Sequence, residues 1–200
     1  MCGIVGFKSS EANQEDIDLV CEVIKQSKIR GLHSFGLSDG KNFYKKFQVE
    51  TIVEKVKELK LKEFIFHNRY STSGDYKDHN NNQPIILSSN SLVFNGIISQ
   101  ATKEENEIKY GITLSTDNDG EILLHQKNIP EFLDKLTGSF AGLMYLDGKM
   151  FHYRNSRRPA YYTVTKNGST IIASTKDIMR RAGVKTIITE TVEGKLVEVI

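Results

Sequence analysis

Apolar and polar positions along the chain alternate in two rhythms. Gly3 to Phe7 is a short apolar run that predicts a strand, and from Asp16 to Ile29 the residues Ile17, Val20, Val23 and Ile24 recur at helical spacing up to Gly31. Aromatic-containing strand patterns occupy 35–48. Ile52, Val53, Val56 and Leu59 then predict a second helix over 50–61, and Glu63 to His67 reads as a buried strand. Asp75 to Gln83 is polar, Asn-rich and without period, as a surface loop beside a site would be. Two strand-like runs follow, Ile85 to Ser88 and Leu92 to Phe94, and then a polar stretch at 101–111 to which no element is assigned. Glu121 to Gln126 and Pro130 to Leu136 predict helices, with Pro130 at a helix start. The remainder predicts strands at 139–146, 149–154, 160–165, 169–174 and 195–199, with a short helix near 175–182. Helices set between long runs of antiparallel strands indicate a layered α+β fold and not βαβ units. With three prolines and no Pro/Gly/Ser-rich joint, residues 1–200 are expected to form one domain.

Composition narrows the function. A charged fraction of 26% beside 38% hydrophobic residues is a globular balance, and the net charge of +2 comes with scattered lysines, so no nucleic-acid surface is expected. No apolar run reaches the roughly 18 residues of a membrane span, and no leader pattern opens the chain, so the expected compartment is the cytoplasm. The histidines are dispersed, no paired His or Cys has ligand spacing and no Gly-rich phosphate loop is present, so neither metal nor cofactor is expected. Cys21 falls on the apolar face of the first helix and reads as core.

Cys2 stands apart. Removal of Met1 would leave a thiol and an α-amine on one residue, and such an amine, titrating near ~7.7–8.0, can take the proton of a thiol that titrates near ~8.5. Met-Cys alone carries little weight. It is followed, however, by Arg30-Gly31-Leu32-His33-Ser34-Phe35-Gly36, His67-Asn68-Arg69-Tyr70-Ser71-Thr72-Ser73-Gly74, Gln83-Pro84, Asn95-Gly96, Asp119-Gly120-Glu121-Ile122, Gly138-Ser139-Phe140-Ala141, Arg154 to Pro159 and Ala173-Ser174. In this order the set resembles the class II glutamine amidotransferases, whose nucleophile is an N-terminal cysteine.

The resemblance implies a four-layer α/β/β/α sandwich with Cys2 at the end of a central strand. It implies that Arg69 binds the α-carboxylate of glutamine, a task suited to the guanidinium fork, and that Asp119 takes the α-ammonium. It assigns the oxyanion donors to the Asn95 side chain and the Gly96 N–H, and places Arg30 and Thr72 along the pocket. Glutamine is then the substrate, and a separate ammonia-accepting synthase subunit the expected partner. Two other readings stay open: hydrolysis of a different γ-glutamyl or amide compound, and a non-catalytic glutamine-binding module. Phe94, Ser73, His33 and Tyr70 depart from the family's usual residues at those positions. Read singly, Asn95-Gly96 is a hairpin-turn dipeptide, Asp119-Gly120 a turn before a helix, and His67 a structural residue of an apolar strand.

Overall fold

A computed structural model describes the whole chain except residues 12 and 72–74. In chain order the elements are β1 (Gly3–Lys8), α1 (Gln14–Gln26) with a 3₁₀ turn at Ser27–Arg30, β2 (Ser34–Ser38), β3 (Phe43–Lys46), α2 (Val49–Leu59) and β4 (Glu63–Arg69). A second 3₁₀ turn (His79–Asn81) precedes β5 (Ile85–Leu87), β6 (Asn90–Ile97), α3 (Lys103–Tyr110), α4 (Glu121–Leu124), α5 (Ile129–Lys135), β7 (Ser139–Leu146) and β8 (Lys149–Arg154). The last part contributes β9 (Tyr161–Val164), β10 (Thr170–Ala173), α6 (Lys176–Arg181), β11 (Thr189–Glu190) and β12 (Lys195–Glu198).

The strands form two antiparallel sheets, ordered β11-β9-β10-β1-β4-β2-β3 and β12-β8-β7-β6-β5. Because side chains alternate across a strand, each sheet has two faces to bury. On the first sheet Val5, Phe7, Phe64 and Phe66 face helices α1, α2 and α6, in a core shared with Ile17, Val20, Ile24, Ile52, Val56 and Ile178. On the second, Leu92, Phe94, Phe140 and Met144 face Leu123, Ile129 and Leu133 of α4 and α5. The faces left over meet each other through Ile4, Ile65, Val93, Leu143, Tyr145 and Ile172. These three cores make the four-layer α/β/β/α sandwich implied by the resemblance.

Apart from α3 and the two-residue strand β11, neither of them predicted, the helices and strands fall close to the predicted positions, and Cys21 is buried on α1. Two differences have clear physical causes. The polar stretch at 101–111 contains α3, held by a capping box in which the Thr102 hydroxyl accepts from the Glu105 N–H while the Glu105 carboxylate accepts from the Thr102 N–H, and closed by Gly111 in the left-handed region. Its only buried residue is Asn106, so it carries no apolar stripe to betray it.

Asn95-Gly96 does not turn the chain. Both residues lie inside β6, paired with Ala141 and Phe140 of β7. Gly96 has φ of 147°, and a Cβ there would collide with the Ser139 carbonyl, so the sequence needs glycine for close strand approach and not for a hairpin. Among the described residues no helix is long and apolar enough to cross a membrane.

Candidate active site

The inter-sheet layer ends in a cleft of about 300 Å³, lined by Cys2, His67, Arg69, Tyr70, Asn81, Gln83, Phe94, Gly96, Asp117, Asn118 and Asp119. Strand alternation explains what the first sheet contributes to it. Ile4 and Ile65 point between the sheets, so Cys2, His67 and Arg69, two or four residues along the same strands, are directed there too. Val93 has the same orientation on β6, which puts the buried Asn95 on the inter-sheet face while its neighbours Phe94 and Gly96 line the cleft.

Cys2 sits just ahead of central strand β1, which is paired on both sides by β10 and β4. Its thiol lies 3.8 Å from the Tyr70 carbonyl oxygen, and its own carbonyl accepts a 2.7 Å bond from Arg30 Nε. Arg30 is therefore placed beneath the N-terminus, outside the group that lines the cleft. Its position is set by Asn68, whose side-chain amide donates to the carbonyls of Ser27 and Gly31 on either side of the 3₁₀ turn.

Arg69, 8% exposed, donates from Nη1 to Asn82 Oδ1 at 2.6 Å, and Asn82 in turn donates to the Tyr76 carbonyl at 2.7 Å. Burial lowers the guanidinium pKa, but from so high a starting point that it remains a cation. The segment 75–83, expected as a surface loop, thus sends Asn82 and Gln83 inward. Gln83 Oε1 accepts from the Phe94 N–H at 2.5 Å and ties the segment to β6.

On the other sheet's side, Asp119 Oδ2 accepts from the N–H groups of Ile98 and Ser99 at 2.6 and 2.9 Å. Burial raises its carboxyl pKa, and those backbone donors oppose the rise. The turn carrying Asp119 is anchored by Glu121, fully buried, whose two oxygens accept from the N–H and hydroxyl of both Ser115 and Thr116, four bonds of 2.8 Å. These bonds hold the Glu121 carboxyl pKa below its usual value although burial acts against them. Asp119-Gly120 is indeed a turn into a helix, with Gly120 capping α4.

Of the residues singled out in the sequence, Cys2, Arg69, Gly96 and Asp119 line one cleft, Asn95 is on the adjoining strand face, Arg30 braces Cys2 from behind, and Thr72 lies outside the described residues, with Ser73 and Gly74. His67, read as a structural residue, is a wall of the cleft. Neither ring nitrogen meets a hydrogen-bond partner among the described residues, and burial, with the Arg69 charge second, depresses its pKa to about 3, so the ring is neutral. Sequence reasoning assigned no role to Asn81, Gln83 or Glu121, although Gln83 and Glu121 each stand in a motif quoted for the resemblance.

Two antiparallel sheets between helical layers, with a near-terminal cysteine at the end of a central strand, define the N-terminal-nucleophile class of fold. Residues 67–181, more than half the chain, match the family model described as a glutamine amidotransferase domain. The glutamine--fructose-6-phosphate aminotransferase (isomerizing) of Sulfolobus acidocaldarius is 28% identical over 172 residues, 74% of this chain and 29% of that protein. Its counterpart from Sulfurisphaera tokodaii is 27% identical over the same shares. In fold the chain is similar to the glutamine phosphoribosylpyrophosphate amidotransferase of B. subtilis, solved with ADP and GMP, with a TM-score of 0.71 at 18% identity over 98% of this chain and 48% of that one. A structure described as the allosteric regulatory enzyme of purine biosynthesis gives 0.72 at 22% identity over the same shares. The chain spans under a third of the curated relatives it matches. It belongs to the glutamine amidotransferase domain family, of the class II, N-terminal-nucleophile type.

Proposed function

We propose that Met1 is removed and that Cys2, as the N-terminal residue, attacks the side-chain amide of glutamine, giving glutamate and ammonia. The observation that carries this reading is that a nucleophile, a buried cation and a half-buried carboxylate, Cys2, Arg69 and Asp119, face one small cleft. Glutamine offers a carboxylate, an ammonium and an amide, and each has a complementary group: Arg69 for the first, Asp119 for the second, the thiolate for the third. An incoming ammonium also opposes the rise that burial causes in the Asp119 carboxyl pKa.

Attack on the amide carbon creates an oxyanion, for which the Asn95 side chain and the Gly96 N–H are the donors. The Cys2 α-amine takes the thiol proton and passes it to the departing nitrogen, so ammonia leaves and a glutamyl thioester stays on Cys2. Water, activated by the same amine, then cleaves the thioester. Arg30 fixes the backbone of the nucleophile. His67, neutral at physiological pH, is no proton carrier in this scheme. The ammonia passes to an acceptor site on a separate synthase subunit.

The test is glutamate release from glutamine by protein whose intact mass shows Met1 absent. Cys2→Ala should abolish it; equal rates in the two proteins would end the proposal.

A further inference from the structure

Beside the N-terminus two guanidinium groups converge on one atom. Arg30 Nη2 lies 3.7 Å and Arg158 Nη1 3.2 Å from the Met1 sulfur. Each arginine is fixed by its inner nitrogen, Arg30 Nε on the Cys2 carbonyl at 2.7 Å and Arg158 Nε on the Ser139 hydroxyl at 3.2 Å, so the outer nitrogens are aimed and not merely near. Among the described residues neither makes an ion pair. The adjoining hollow, about 270 Å³, is lined by Met1, Ile29, Arg30, Thr175 and Asp177, and the Asp177 carboxylate is engaged by Arg181 at 2.7 Å. Like charges held together are unfavourable, and here burial first and Arg158 second lower the Arg30 pKa, with Cys2 opposing them.

A thioether is a poor occupant for such a place, because sulfur of this kind is only a weak acceptor. Its removal would leave two forks facing an emptied volume beside Cys2. We propose that Arg30 and Arg158 form an oxyanion receptor, opened by loss of Met1, that takes the phosphate of a small phosphomonoester beside the N-terminus. Two positive charges match a group carrying about −1.5 to −2 at pH 7, and its three terminal oxygens can serve both forks, which the two oxygens and single charge of a carboxylate do less well. The inference rests on Met1 removal as proposed above.

The experiment titrates inorganic phosphate into Met1-free protein by calorimetry at constant ionic strength, with acetate as the competing oxyanion. Saturable phosphate binding is expected, weakened at least ~10-fold by Arg158→Gln and in protein that retains Met1, and unchanged by Arg157→Gln, the neighbouring cation that donates to the Thr137 carbonyl instead. Failure of the Met1-free protein to bind phosphate, or equal affinity in Arg158→Gln, would overturn the receptor, and acetate binding as tightly as phosphate would overturn its assignment to phosphomonoesters. Glutamate release is measured on the same sample: release without phosphate binding defeats the receptor alone, and phosphate binding without release defeats the glutaminase reading alone.

Discussion

The layer between the sheets has two ends built from the same strands, and they differ in everything but geometry. At one, Ile4, Ile65, Val93, Leu143 and Ile172 pack into a fully buried apolar core. At the other, Cys2, His67 and Arg69 continue the same strand faces into a polar cleft with its charges partly desolvated, and Asn95 follows Val93 on the inter-sheet face of β6. Ile4 follows Cys2 by two residues, His67 follows Ile65 by two, and Asn95 follows Val93 by two. The apolar end therefore fixes the register that delivers the polar end, since a slip of one residue would turn all of these side chains to the helical faces. Stability and chemistry are divided along a single pleat.

That division can be broken from either side. Leu143→Ala removes apolar volume from the buried end and should cost about 2–5 kcal/mol of unfolding free energy in chemical denaturation, while kcat per folded molecule is kept. Loss of activity in proportion to a smaller stability change would show that the two ends are not separable. Asn95→Ala acts at the polar end. It should lower kcat by ~10²–10³ with little change in KM, as expected for a donor that serves the transition state; an effect confined to KM would reassign Asn95 to ground-state binding.

The pH dependence of stability sharpens the comparison. His67, with a pKa of about 3, and His152, at about 4 through burial and the Arg154 charge, are held well below the ordinary 6.5. Below pH 6.5 the unfolded chain binds protons that the folded chain refuses. Stability is then full above that pH and falls as pH drops toward 4 and 3, by about 1.4 kcal/mol per pH unit for each histidine. His67→Gln should make the acid limb of a denaturation series shallower by one proton; an unchanged slope would contradict the neutral, buried ring. The smallest effect lies far from the cleft: Thr102→Ala should destabilise by about 1 kcal/mol through the lost cap of α3, leaving kinetics untouched.

Legibility in the sequence followed the strength of local physics. The central strands of both sheets and helices α1, α2 and α6 carry apolar periodicity that burial then uses, as with Ile17, Val20 and Ile24 or Ile52 and Val56, whereas the exposed two-residue strand β11 carries none. Helix α3 has no such stripe, and Ile108 is 84% exposed, so only the Thr102 to Glu105 cap and Gly111 marked it. In the cleft, motif order pointed to Cys2, Arg69, Gly96 and Asp119. The reading of Asn95-Gly96 as a turn failed because the dipeptide's local preference is overridden by pairing with β7 some 45 residues later, a contact no local rule contains. The inward Asn82 and Gln83 were hidden for the same reason, their partners being Arg69 on β4 and Phe94 on β6.

The central claim is that the polar end of the inter-sheet layer is a glutamine site with Cys2 as its nucleophile. Its most direct test is mass spectrometry of Met1-free protein treated with an electrophilic glutamine analogue. A single adduct on Cys2, suppressed by excess glutamine, is the result expected; an unmodified Cys2, or an adduct that excess glutamine fails to prevent, would contradict it.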